Sequence, residues 1–269
     1  WYFSSTYRLN WVFFSLFFHL YCHMKFLKII LLLFILISPS NANTIYNLIK
    51  IPNLEIYNNK SINGIKYLRA NKPFQVGVRN DNVTCFNSNI QTIDEKFKLI
   101  KKNFNKYNSD FLKKINLKYV VLCESLSVSE IDAGGIPNHQ MKTLIINIKF
   151  EKDHFERILH HEVFHLINDS FKNLFVYDVW KNFNHKKFNY AECSTCSSDR
   201  LNLSLLEETK GFLTEYSMST PSEDMAEIFS FLITDKKNIE NKALKDPVLK
   251  KKISYIKKTL LKIDREFKF

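Results

Sequence analysis

Glycine and proline are scarce in this chain, at 5 and 6 of 269 residues. That excludes collagen-like, linker-rich and loop-repeat architectures, and no self-similar period marks a solenoid or a propeller. Arginine is scarce too. Only six of the 39 basic residues are Arg, so the net charge of +12 rests on lysines spread along the chain. Nucleic-acid recognition draws on clustered basic side chains, with Arg for phosphates and base edges. The even spread reads instead as solvated surface, and no nucleic-acid partner is expected. What the chain does hold is 45% hydrophobic and 25% charged residues, which excludes a disordered chain. Its 24 Phe and 12 Tyr can fill a sizeable core.

The N-terminal region reads as a targeting segment. Met24-Lys25-Phe26-Leu27-Lys28 precedes an unbroken apolar run over 29–37, and Ser38-Pro39-Ser40-Asn41-Ala42 follows. This is the order of a signal peptide: a basic start, an apolar stretch and a small-x-small cleavage site. Residues 1–42 are therefore assigned to upstream sequence plus a signal peptide starting at Met24, and 43–269 to one domain. The run is shorter than the about 20 apolar residues a spanning helix needs. Adding 11–20 would lengthen it, but His19, His23, Lys25 and Lys28 interrupt the span. No stable membrane anchor is expected, and the protein is expected to be secreted or periplasmic. In an oxidising compartment Cys85, Cys123, Cys193 and Cys196 can form disulfides. Cys193-x-x-Cys196 lacks the second close Cys or His pair of a zinc ribbon, so it is expected to be a local disulfide or two free thiols.

Periodicity divides the domain into an α/β half, 43–150, and a helical half, 151–269. Phe74 to Val78 alternates like a strand, and Tyr119 to Leu122 and Leu144 to Ile148 read as buried strands. Thr92 and Glu95 form a capping box for a helix over about 93–107. Gly134-Gly135 and Pro137-Asn138 mark turns. Asp153 starts a helix over about 154–168, Ser222 caps one over 223–234, and a basic helix closes the chain at 246–268. The stretch 178–210 is polar and irregular.

His161-Glu162-Val163-Phe164-His165 lies on the 154–168 helix. Residues four apart share a helix face, so both imidazoles can reach one zinc ion, with Glu162 beside them as a proton acceptor. A catalytic zinc needs a third protein ligand. The metzincin arrangement would require Gly at 168 and His at 171, where this chain has Asn168 and Phe171. The downstream candidate is Glu223, with Glu227 one turn further on the same face. His185 is an alternative third ligand, in the manner of proteases that use three histidines. His160 points about 100° away from His161 around the helix and is taken as structural or surface.

With these residues in place, the sequence resembles a gluzincin metallopeptidase. More narrowly, it is similar to the bacterial zinc-binding metallopeptidases and to the catalytic domain of anthrax lethal factor. The resemblance is carried by the His161–His165 motif, by Gly211-Phe212-Leu213-Thr214-Glu215-Tyr216 and by Pro221-Ser222-Glu223-Asp224-Met225-Ala226-Glu227. It implies an α+β, zincin-like fold, with a small mixed sheet and an active-site helix followed by a helical C-terminal half. It implies a zinc-dependent peptidase acting on protein or peptide substrates, with His161, His165 and Glu223 as ligands and Glu162 as general base. Tyr216 would face the oxyanion, Glu227 would support a ligand histidine, and the strand at 144–148 would pair with extended substrate. An inactive binding protein on the same fold is the alternative, against which Glu162 stands intact.

The processing expectation is open to direct test. N-terminal sequencing of exported protein should start near Asn43, and recovery of 11–37 on an intact membrane-embedded chain would refute it.

Overall fold

The computed structural model describes residues 53–78, 81–128, 130–150, 152–196 and 201–269. The segment 24–42, which the sequence reads as a signal peptide, lies outside them. The fold is α+β, with two small sheets in the N-terminal half and a helical C-terminal half. Among the described residues the larger sheet has five strands in the order β1 (Leu54–Asn58), β2 (Lys66–Ala70), β5 (Tyr119–Cys123), β9 (Thr143–Asn147) and β8 (Gly135–Asn138). β2, β5 and β9 run parallel, while β1 and β8 run antiparallel at the two edges. The smaller sheet is antiparallel, in the order β3 (Phe74–Val78), β4 (Asp81–Cys85), β6 (Leu126–Val128) and β7 (Ile131–Asp132).

The central strands are apolar on both faces because both faces are covered. Val120 and Leu122 of β5, with Leu144 and Ile146 of β9, enter the main core, which is shared with the helices. Val121, Cys123 and Ile145 alternate to the other face, against Phe74 and Leu126 of the smaller sheet. A disulfide between Cys85 and Cys123 joins β4 to β5. Both cysteines are fully buried.

Helix α1 (Ile90–Phe104) starts earlier than its Thr92 signal suggests. Asn89 is the cap, its side chain accepting from the Gln91 amide, so the Thr92–Glu95 pair lies inside the helix rather than at its start. α2 (Ser109–Lys114) follows. α3 (Lys152–Ser170) carries the histidine motif, and α4 (Tyr177–Lys181) is a single turn. The 246–268 helix is shorter than expected and is preceded by one that periodicity missed. They are α6 (Lys236–Lys245) and α7 (Pro247–Ile263), and Asp246 caps α7 through the Val248 and Leu249 amides. α5 (Pro221–Thr234) is buried nearly all round and packs along α3.

Gly134-Gly135 and Pro137-Asn138 do not form the expected turns. Residues 135–138 are edge strand β8. β9 is flanked on both sides by β5 and β8, so it cannot offer hydrogen bonds to a substrate, as the sequence reading had it. Among the described residues the free edge on that side belongs to β8.

The Cys85–Cys123 bridge closes a separation of 38 residues, which in the chain-entropy account is worth about 4 kcal/mol. The double variant Cys85→Ala/Cys123→Ala should lose at least that much in denaturant unfolding. A loss below about 1 kcal/mol would show the bridge to be incidental.

Candidate metal centre

α3 presents His161 and His165 one turn apart toward α5. α5 begins at Thr220, whose hydroxyl accepts from the Glu223 amide, with Pro221 in its first turn. Its acidic first turn suits the positive end of the helix dipole. The result is a convergence of three donor atoms. His161 Nε2 lies 2.9 Å from Glu223 Oε2, His165 Nε2 lies 3.2 Å from the same oxygen, and the two Nε2 atoms are 3.1 Å apart. His185, the alternative ligand, is exposed, and its ring accepts from the Lys187 amide. It is not part of this cluster.

The far nitrogens of both histidines are held. His161 Nδ1 meets Glu227 Oε1 at 2.9 Å, and His165 Nδ1 meets Ser222 Oγ at 3.2 Å. A partner on Nδ1 fixes the tautomer that leaves Nε2 free to ligate. Glu227 is itself restrained. Thr214 Oγ1 donates to its second oxygen at 2.9 Å, and Arg157, one turn before His161 on α3, lies 3.6 Å from that oxygen. Arg157 also reaches the Leu203 carbonyl and stacks on the Phe231 ring at 4.4 Å. Ser222 is thus no cap but a partner of His165. The sequence assigned Thr214 no role beyond its place in the 211–216 segment and did not single out Arg157, because their contacts join segments remote in the chain.

Burial opposes charge on His161, but hydrogen bonds to Glu223 and Glu227 push it up to about 10. Burial likewise works against the Glu223 carboxylate, and the two imidazoles hold it far below the usual range. Two cation-forming groups on one carboxylate are a cluster organised around positive charge. The donor set fits zinc: two imidazole nitrogens and one carboxylate oxygen. A tetrahedral ion with bonds of about 2.0–2.1 Å separates its ligands by roughly 3.3 Å, close to the spacings found.

Glu162 leaves the same helix turn toward β8. A Cβ on Gly135 would stand 2.6 Å from Glu162 Cγ, so only glycine lets the strand lie this close. Burial pushes the Glu162 carboxyl up, with His161 and His165 pulling the other way. Tyr216 opens a 3-10 turn, Tyr216–Met218, and its ring centroid is 5.9 Å from that of His161. Burial, then the Glu223 and Glu162 carboxylates, raise its phenol well above the usual range, so it stays a neutral donor. His160 is buried and structural, bonded to the Tyr107 hydroxyl at 2.6 Å and to Asn103 at 3.0 Å.

A family model described as "Putative zinc-binding metallo-peptidase" matches residues 37–263. The chain belongs to that family. Among solved structures, it is similar to the crystal structure of a protein titled a putative zinc-binding metallo-peptidase from Bacteroides caccae ATCC 43185. The identity is 18% and the TM-score 0.45, over 70% of this chain and 76% of that one. No curated protein matches it.

α5 is also held from its other side. Asp224, fully buried, gathers Lys252 Nζ at 2.6 Å, Tyr190 Oη at 2.6 Å and Trp180 Nε1 at 2.8 Å on one oxygen. Lys252 also donates to the Gly211 carbonyl at 2.8 Å and lies 3.8 Å over the Phe212 ring. Removing one partner of a buried pair strands the other, at a cost of about 3–5 kcal/mol. Lys252→Met should therefore destabilise the protein by that amount in urea unfolding. A change below 1 kcal/mol would show that Asp224 does not depend on it.

Proposed function

We propose that this chain is an exported zinc peptidase of the gluzincin type. The observation that carries the reading is the convergence of His161 Nε2, His165 Nε2 and Glu223 Oε2, with Glu162 on the same helix turn. A zinc ion held by these three residues supplies Lewis acidity toward a water and a peptide carbonyl. Glu162 accepts the proton of the attacking water and returns it to the departing amine. Its buried setting favours that proton-holding role. Tyr216 donates its hydroxyl to the negative oxygen that develops in the transition state. Glu227 orients His161, and Ser222 orients His165. The unpaired side of β8 offers main-chain groups to an extended peptide, and Gly135 keeps that strand close to Glu162.

Export is supported by the signal-like segment 24–42 and by two disulfides, Cys85–Cys123 and Cys193–Cys196, which persist in oxidising compartments. Among the described residues no helix is long and apolar enough to cross a membrane.

Purified mature chain should hold one zinc and cleave peptides, and a chelator should abolish cleavage. Glu162→Gln should keep zinc and fold yet lose nearly all hydrolysis, because an amide takes no proton from water. Glu227→Gln should cost about 10- to 100-fold in affinity or activity. Tyr216→Phe should lower turnover by about 10²–10³. If Glu223→Ala kept full zinc while His185→Ala lost it, the ligand set would be wrong. A fully active Glu162→Gln variant would overturn the mechanism.

A further inference from the structure

The segment that leads into α5 is closed by its own hydroxyls. Tyr216 stands between Thr214 and Ser217, two fully buried residues bonded to each other in both directions. The Ser217 amide donates to Thr214 Oγ1 at 3.0 Å, and the Thr214 amide donates to Ser217 Oγ at 3.3 Å. The Ser217 hydroxyl also donates to the Thr214 carbonyl at 2.6 Å. This is the reciprocal pattern of a capping box, with Ser in the place of Glu. Outside it, the Tyr216 amide donates to the Asn202 carbonyl at 3.1 Å, and the Tyr216 carbonyl accepts from Ser219 Oγ at 2.7 Å.

The Thr214 hydroxyl faces two ways. A hydroxyl has one proton to give and lone pairs to accept with, whereas an amide N–H only donates and a carboxylate only accepts. With the Ser217 amide on one side and Glu227 Oε2 on the other, the Thr214 proton goes to Glu227, at 2.9 Å. The other oxygen of Glu227 meets His161 Nδ1. One side chain thus joins the turn that carries Tyr216 to the carboxylate that orients a ligand imidazole. The His161 and Tyr216 rings themselves lie 5.9 Å apart, tilted by 33°. The same bond closes the chain from 214 to 227 on itself, with Tyr216 and Glu223 inside the loop. Both of its ends are buried, where an unmade hydrogen bond is costly, so the hydroxyl is held in this one orientation.

We propose that Thr214 is a positioning residue that sets two parts of the centre with one hydroxyl: the turn that carries Tyr216, and the Glu227 carboxylate behind His161. The proposal rests on the peptidase reading and deepens it. It makes the place of the oxyanion donor depend on the same side chain that restrains the ligand histidine.

Thr214→Val keeps the shape of the side chain and removes the hydroxyl, while Thr214→Ser keeps the hydroxyl and removes the methyl. Both are compared with wild type, with and without Tyr216→Phe. The readouts are zinc affinity of the metal-free chain against a competing chelator, and turnover of a fluorogenic peptide at saturating zinc. Loss of one hydrogen bond is worth about tenfold. Thr214→Val should weaken zinc binding by about that factor and lower kcat by a similar one, with KM unchanged, and Thr214→Ser should restore most of both. In the Tyr216→Phe background the zinc loss should persist in full, because it passes through Glu227, while the kcat loss should shrink. Wild-type zinc affinity and kcat in Thr214→Val, no rescue by serine, or a kcat loss that multiplies in full with Tyr216→Phe would each overturn the proposal. Should the valine variant fail to fold, Ser217→Ala carries the test, since it opens the turn and leaves Thr214 its bond to Glu227. Its kcat should fall by about tenfold with zinc affinity kept, and an unchanged kcat would overturn the proposal. Crystal structures of the zinc-loaded variants form an arm that needs no activity. The Tyr216 ring should leave its place beside His161 in Thr214→Val and Ser217→Ala and keep it in Thr214→Ser, and an unmoved ring would overturn the proposal. Wild-type protein that holds zinc but cleaves no peptide would instead count against the peptidase reading, with zinc affinity and ring position still deciding the role of Thr214.

Discussion

Three carboxylates within five residues of α5 are taken out of water, and the rest of the site is organised by that constraint. Glu223, Asp224 and Glu227 are each buried. A buried charge without partners is costly, so each has drawn its own set. Glu223 faces His161 and His165. Asp224 faces Lys252, Tyr190 and Trp180. Glu227 faces His161, Thr214 and Arg157. Those partners come from α3, α4, α7 and the irregular segments, so one helix turn fixes how the C-terminal half assembles around the centre.

The two faces of α5 do different work. Toward α3, Glu223 and Glu227 act on the same imidazole from opposite nitrogens, which sets both the direction and the basicity of His161. Away from α3, Asp224 ties α5 to α7 and to the segment that leads into the Cys193–Cys196 disulfide. A disturbance at Lys252 or Tyr190 can therefore reach the centre without touching His161, His165 or Glu223. The sheet contributes a third element, the closeness of β8 to Glu162, which depends on the missing side chain at Gly135.

Much of this was legible from spacing. The helix rule that residues four apart share a face placed His161 with His165 and Glu223 with Glu227, alternation located β3, and buried apolar runs located β5 and β9. Misreadings came where local signals compete with tertiary ones. Gly134, Gly135 and Pro137 are turn formers, yet pairing with β9 makes 135–138 a strand, and a Pro is tolerated because β8 is an edge. Ser222 has the chemistry of a cap, but Thr220 takes that place and leaves Ser222 free for His165. α6 was missed because its charged surface leaves only a weak apolar period, with Ile239 and Ala243 buried.

The sequence by itself determined the element types of the long periodic segments, the pair of histidines one turn apart and the acidic turn that answers them. These follow from the geometry of a single helix, which acts over a few residues. Only the tertiary structure decided that Glu223, not His185, meets the histidines, that Thr214 and Arg157 restrain Glu227 and that β8 is the sheet edge beside Glu162. Each of these is a contact between segments remote in the chain. Their positions are set by how whole elements bury their apolar faces and neutralise their buried charges, which no local spacing encodes.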